Sequence, residues 1–110
     1  MDEIKDIFDD TVKKNYFNYQ KVKEHYENDN LENIDIREYY KYCPVQKSIE
    51  EIKKVNLVHG EQLEKLHKEW HEAYRMLKNT KQIKYLSKMY NITLQFSSLV
   101  NLIKMRNNKK

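Results

Sequence analysis

His67 and His71 lie one helical turn apart, so both imidazoles can reach a single ion, and their spacing suits zinc. The residue after His67 is Lys68 and the acid is Glu69, so the pair is not the His-Glu-x-x-His of a zinc protease. A third ligand would have to come from His25, His59 or Glu64. Two surface histidines on a charged helix are the plainer reading, and no metal or cofactor is expected. Cys43 is the single cysteine, and no neighbour in sequence lowers its pKa decisively, so a buried structural thiol is expected rather than a nucleophile. A phosphate-cradling loop needs several glycines, and Gly60 stands alone. The acid pairs Glu50-Glu51 and Glu61/Glu64 sit among lysines, as on a solvated helix face. No catalytic residues are expected, and the chain does not read as an enzyme.

Charge carries more information. Residues 1–74 hold 12 basic and 17 acidic side chains, whereas residues 75–110 hold 9 basic ones and no acid. Arg75, Lys78, Lys81, Lys84 and Lys88 recur at three- and four-residue steps, with Tyr74 and Tyr85 among them. Lysine and arginine neutralise phosphates and release counterions, and aromatic rings stack on exposed bases. Arg75, Lys78, Lys81, Lys84, Tyr85, Lys88, Lys104 and Arg106 therefore form the expected nucleic-acid-binding set. The plain alternatives are a solvated face, or an acidic surface of the same protein or oligomer that meets the basic block.

The elements that must position these residues are helical. One glycine and one proline leave little material for tight turns, so the fold class is all-α, a single domain over 1–110 of three to four helices. Ile4, Phe8, Val12, Tyr16, Tyr19, Val22 and Tyr26 predict a first helix over about 2–27, and Asn28-Asp29-Asn30 opens a linker over 28–35. Asp35 and Glu38 read as a capping box for a short helix over 36–43. From Pro44 the series Ile49, Ile52, Asn56, His59, Leu63, Leu66, Trp70, Ala73 and Leu77 keeps a heptad step. It predicts one long helix over about 45–78, with a break near Gly60 as the alternative. A C-terminal helix over about 81–105 and a basic tail over 106–110 complete the chain; period-two alternation over Tyr90–Phe96 makes a strand the weaker reading there. The architecture expected is a helical bundle or coiled-coil hairpin.

The run Met89 to Ile103 has no charged residue and is apolar over much of its circumference, which predicts self-association into a homo-oligomer. It is too short and too polar to span a bilayer, and membrane binding is not expected. The acidic start Met1-Asp2-Glu3 lacks a signal peptide's basic and apolar segments. With one cysteine, this points to the cytoplasm of a bacterium or of a virus-infected host cell. Leu66-His-Lys-Glu-Trp70-His-Glu-Ala-Tyr74 and Phe96-Ser-Ser-Leu-Val-Asn-Leu-Ile-Lys-Met-Arg106 resemble segments of the small helical recombination-mediator proteins of T4-type phages. Many bundles share such patterns. The chain lacks the glycine expected soon after Tyr74 and runs only four residues past Arg106, so no family is assigned.

Two functions follow. The first is a non-enzymatic accessory protein that self-associates and binds nucleic acid through its basic C-terminal third, in nucleoprotein assembly or recombination. The second is a regulator, adaptor or inhibitor that docks a protein partner through its long amphipathic helix, with Leu63, Leu66, Trp70, Tyr74, Phe96 and Val100 as the partner-binding residues.

Overall fold

The computed structural model describes the backbone of residues 2–108 and, within it, the side chains of residues 7–105. Helix α1 (Asp2–Glu27) buries Phe8, Thr11, Asn15, Tyr19 and Val22. The apolar residues alone suggest a stripe through Val12 and Tyr16, yet Tyr16 is 47% exposed and Asn15 lies inside. Each four-residue step overshoots a turn by about 40°, so the run Phe8-Val12-Tyr16 drifts off the core face while Phe8-Thr11-Asn15-Tyr19 stays on it. The Thr11 hydroxyl tolerates burial by donating to the Ile7 carbonyl at 2.6 Å. The helix ends where Asp29 takes a left-handed φ of 55°, with Asn30 N–H on the His25 carbonyl at 2.8 Å and Asp29 N–H on the Tyr26 carbonyl at 3.1 Å. That is a Schellman cap with aspartate in the usual glycine place.

Residues 36–43 do not form the expected short helix. Between α1 and Pro44 the chain is extended, with single 3-10 turns at Leu31–Asn33 and Tyr40–Tyr42, and Asp35 and Glu38 cap no helix. The reason lies across the bundle: the carbonyls of Ile36 and Glu38 accept hydrogen bonds from Tyr74 Oη at 2.9 Å and His71 Nδ1 at 3.0 Å. Helical geometry would commit those carbonyls to the chain's own backbone. Leu31 and Ile34 anchor the segment in the core.

The long helix of the sequence reading is two helices. Helix α2 (Pro44–Val55) and helix α3 (Leu57–Thr80) meet at Asn56, which is extended at φ −149°, ψ 99°. Asn56 closes α2 with its N–H on the Ile52 carbonyl at 2.8 Å, and caps α3 with its Oδ1 accepting from His59 N–H at 3.2 Å. Gly60 makes the sharp corner possible. A β-carbon there would stand 2.5 Å from Lys53 Cγ and 2.8 Å from Lys53 Cα, so the two helices approach backbone to backbone. Gly60→Ala is therefore expected to destabilise the fold by about 1–3 kcal/mol through overpacking, although alanine is the better helix former. Urea unfolding of the variant checks this; unchanged stability would refute the close approach.

Helix α4 (Ile83–Asn108) follows a left-handed turn at Lys81 and is continuous, so Tyr90–Phe96 is helix rather than strand. It turns Leu86, Met89, Ile92, Phe96, Val100 and Ile103 inward. The result is an elongated all-helical body of 48 × 21 × 20 Å. Helices α1 and α3 each pack on both α2 and α4. At one end Phe8, Val45, Ile49, Ile52, Leu63, Phe96, Val100 and Ile103 form the core. At the other, where α2 is missing, the linker forms the fourth wall, and Leu31 and Ile34 join Tyr19, Val22, Trp70, Tyr74, Leu77 and Met89. No helix among the described residues is long and apolar enough to cross a membrane.

Candidate functional site

The junction where the linker hands over to α2 gathers the chain's most unusual polar groups. His67 and His71 project from α3 and Cys43 sits just ahead of α2, and the three are only 1%, 3% and 2% exposed. The imidazoles meet edge to face, with centroids 4.7 Å apart. One ring nitrogen of each histidine and the Cys43 sulfur all lie within 4.8 Å of one another.

The surroundings determine which nitrogens carry protons. Gln46 places one amide atom 2.7 Å from Glu50 Oε2 and 2.7 Å from Glu64 Oε2, and carboxylates only accept, so that atom is the NH2 group. The amide oxygen then faces His67 Nδ1 at 3.0 Å and must receive its proton. His71 Nδ1 likewise donates to the Glu38 carbonyl at 3.0 Å. In both rings the remaining nitrogen, Nε2, is a bare lone pair, and neither has a hydrogen-bond partner among the described residues. Burial, reinforced by the neighbouring ring, holds His67 near a pKa of about 3. Burial also holds His71 near about 4, against the upward pull of the Glu38 and Arg37 backbone. Both are neutral at physiological pH. Burial pushes the Cys43 thiol up, partly offset by the N–H groups of Val45 and Gln46 at the start of α2 and by the Asn18 amide, 3.6 Å from Sγ.

The sequence reading of two surface histidines is thus corrected: both are buried. None of the third ligands considered joins them. His25 Nδ1 is spent on the Lys21 carbonyl, His59 on Gln62, and Glu64 on Gln46 and Lys53. Cys43, distant in sequence, takes that place. The one-turn spacing of the histidines was the available signal; the approach of the cysteine is a product of the fold.

The basic residues separate into two groups. Lys78 pairs with Glu38 at 3.0 Å, Lys81 lies 4.0 Å from Glu32, and Lys104 pairs with Asp9. The acidic first half of the chain therefore meets part of the basic last third within one molecule. Arg75, Lys84 and Lys88 are exposed and have no carboxylate partner among the described residues. Tyr85, half-buried, lies with Arg75 and Lys88 along a groove of about 200 Å³ between α3 and α4, whose other lining residues are Glu72, Ala73 and Met76. The Lys84 ammonium stands 5.2 Å from the Tyr85 ring centre. The Arg106 side chain lies outside the described residues, as does the tail beyond Asn108.

The expected partner-binding set is not a surface. Leu63, Trp70, Tyr74, Phe96 and Val100 are buried in the two core clusters and half-buried Leu66 packs against both, because α3 has neighbours on two sides. Thr93 is buried and accepts from Trp70 Nε1 at 3.0 Å. No protein-family model, curated protein or solved structure matches the chain.

Proposed function

We propose that this protein is a non-enzymatic accessory protein that binds the backbone of a nucleic acid along the α3/α4 groove and self-associates through the outer face of α4. One observation carries the reading: Arg75 and Lys88, exposed and without carboxylate partners among the described residues, line one groove with Tyr85, and Lys84, equally exposed and unpaired, stands over the Tyr85 ring. Cations spaced along a groove neutralise successive phosphates, and a tyrosine at its edge offers a stacking surface. Lys78, Lys81 and Lys104 contribute less, since intramolecular carboxylates already offset their charge. Self-association is supported by Ile83, Tyr90, Leu94 and Met105, which stay exposed at helical spacing on one stripe of α4. The stripe fits a second copy better than an acidic polymer, because the run from Met89 to Ile103 offers no charge. Docking through Leu63 and Trp70 as a regulator or adaptor is set aside, since those side chains are core.

Fluorescence anisotropy with labelled single- and double-stranded DNA and RNA, across a salt series, tests the reading. Binding should weaken steeply with salt, and Arg75→Gln/Lys84→Gln/Lys88→Gln should flatten the log–log salt slope by about 2–3. Glu72→Gln, which removes the groove's one acid, should tighten binding. No binding at low salt, or a triple variant that binds like wild type, would overturn it. Light scattering on the same samples should give a mass above the 13.6 kDa of one chain, reduced toward it by Leu94→Lys.

A further inference from the structure

Independently of the groove, we propose that Cys43, His67 and His71 bind one borderline-soft transition-metal ion, with zinc(II) as the type, at the junction of the linker, α2 and α3. Two imidazole nitrogens and a thiolate are donors such ions prefer, whereas magnesium and calcium select oxygen, of which this triad has none.

The donors are prepared by the fold. A histidine that ligates through Nε2 normally donates its Nδ1 proton to a carbonyl or carboxylate, which sets the tautomer and the ring orientation. Both histidines already do so, His67 to Gln46 Oε1 at 3.0 Å and His71 to the Glu38 carbonyl at 3.0 Å. Behind Gln46 the chain of contacts continues to Glu64, and from Glu64 to Lys53 at 3.0 Å, so the His67 support is itself held on both sides. Each bare Nε2 is buried without a partner among the described residues, and neither takes a hydrogen bond from the Cys43 thiol. Burying a lone pair without a partner is costly, and a shared cation relieves both at once.

Distances agree with this reading. One ring nitrogen of each histidine and Cys43 Sγ lie within 4.8 Å of one another, while tetrahedral zinc with two nitrogen ligands and one sulfur has donor–donor edges of about 3.3–3.6 Å. Side-chain movements of up to about 0.7 Å per donor atom close that difference. On binding, the Cys43 S–H bond breaks, its proton leaves to solvent, and the sulfur lone pair forms the metal bond; no electron is transferred. The thiolate that results faces the Val45 and Gln46 N–H groups at the start of α2, which favour negative charge there.

Three protein ligands leave a fourth position. A groove of about 240 Å³, whose lining includes Glu38, Tyr40, Lys68, His71 and Glu72, opens beside His71. Tyr40 roofs the site, its ring edge-on to His67 with centroids 5.9 Å apart. The bound ion would fasten the linker–α2 junction to α3, and folding stability should rise with metal concentration.

The test uses the untagged full chain, stripped with chelator, desalted, and supplied with zinc(II) or cobalt(II). Elemental analysis after a second desalting should find one zinc per chain, and thermal unfolding should shift upward with zinc. Cobalt(II) should give intense visible bands of tetrahedral coordination and a near-ultraviolet thiolate-to-cobalt band. Cys43→Ala should abolish the thiolate band, and His71→Gln should weaken affinity more than tenfold. His25→Gln/His59→Gln, which leaves the triad intact, should change neither. Gln46→Leu, outside the triad, should weaken affinity about 10–100-fold by releasing the His67 ring. Circular dichroism of each metal-free variant establishes that it is folded. Failure of the stripped wild type to take up metal, or uptake unchanged in folded Cys43→Ala, would overturn the proposal.

Discussion

Replacing Trp70 by alanine is expected to remove about 3–5 kcal/mol of folding stability and to lower Tm by roughly 10–25 °C. The indole is 1% exposed, stacks on Tyr74 with centroids 5.7 Å apart, and donates to Thr93 at 3.0 Å. Removing it opens a cavity between α3 and α4 and leaves the Thr93 oxygen without that donor, although its hydroxyl still reaches the Met89 carbonyl at 2.8 Å. Small domains are typically stable by about 5–15 kcal/mol, so the loss consumes a large share of the total. Trp70→Phe keeps most of the ring and forfeits the hydrogen bond, for an expected cost of about 1–3 kcal/mol. Urea and thermal unfolding distinguish this from a surface anchor, for which stability would stay within about 1 kcal/mol of wild type.

The second large effect is loss of stability in acid, centred on His67 and His71. The fold depresses their pKa values to about 3 and about 4, whereas unfolded histidine titrates near 6.5. Below 6.5 the unfolded chain therefore binds protons that the native state refuses. Their contribution is complete above pH 6.5 and is lost as pH falls toward 4 and then 3, at about 1.4 kcal/mol per pH unit for each histidine. Glu64 acts in the same direction at lower pH: burial raises its pKa, but hydrogen bonds from Lys53 and Gln46 outweigh that and lower it below 4.5. The midpoint of urea unfolding, measured with chelator present from pH 7.5 to 4, should fall across this window. His67→Gln/His71→Gln should flatten the dependence above pH 4.5. A wild-type midpoint constant over that range would refute the assignment of two buried neutral histidines.

Both effects concern residues whose surroundings the sequence described only in part. Trp70 was legible as a member of an apolar helical series, but a series of that kind serves equally as a core or as a docking face. Which it was depended on α4 returning along α3. His67 and His71 were legible as a pair on one helix face; that the face was buried, and that Cys43 met it, required the linker to run extended beside α3. Helix ends followed the same division. The boundaries of α1 are set by local chemistry, the acid-rich start and the Asn-Asp-Asn stop. A break near Gly60 was legible only as the alternative to one long helix, because a seam position and a cap position can both be asparagine, and the fold places it at Asn56.

What the sequence by itself determined is the helical class, the positions of α1 and α4, and the accumulation of cations after Glu72. These rest on periodicity, turn composition and charge, all local quantities. What only the tertiary structure decided is the extended linker, the corner at Asn56 and Gly60, the pairing of Lys78, Lys81 and Lys104 with acids from the first half of the chain, and the meeting of Cys43 with two histidines. The linker, the ion pairs and the meeting of Cys43 with the histidines join residues far apart in the chain, and the corner brings two successive helices together; what settles them is the carbonyls that Tyr74 and His71 require, a backbone approach free of a β-carbon at Gly60, and, at the surface, carboxylates within reach of the C-terminal lysines.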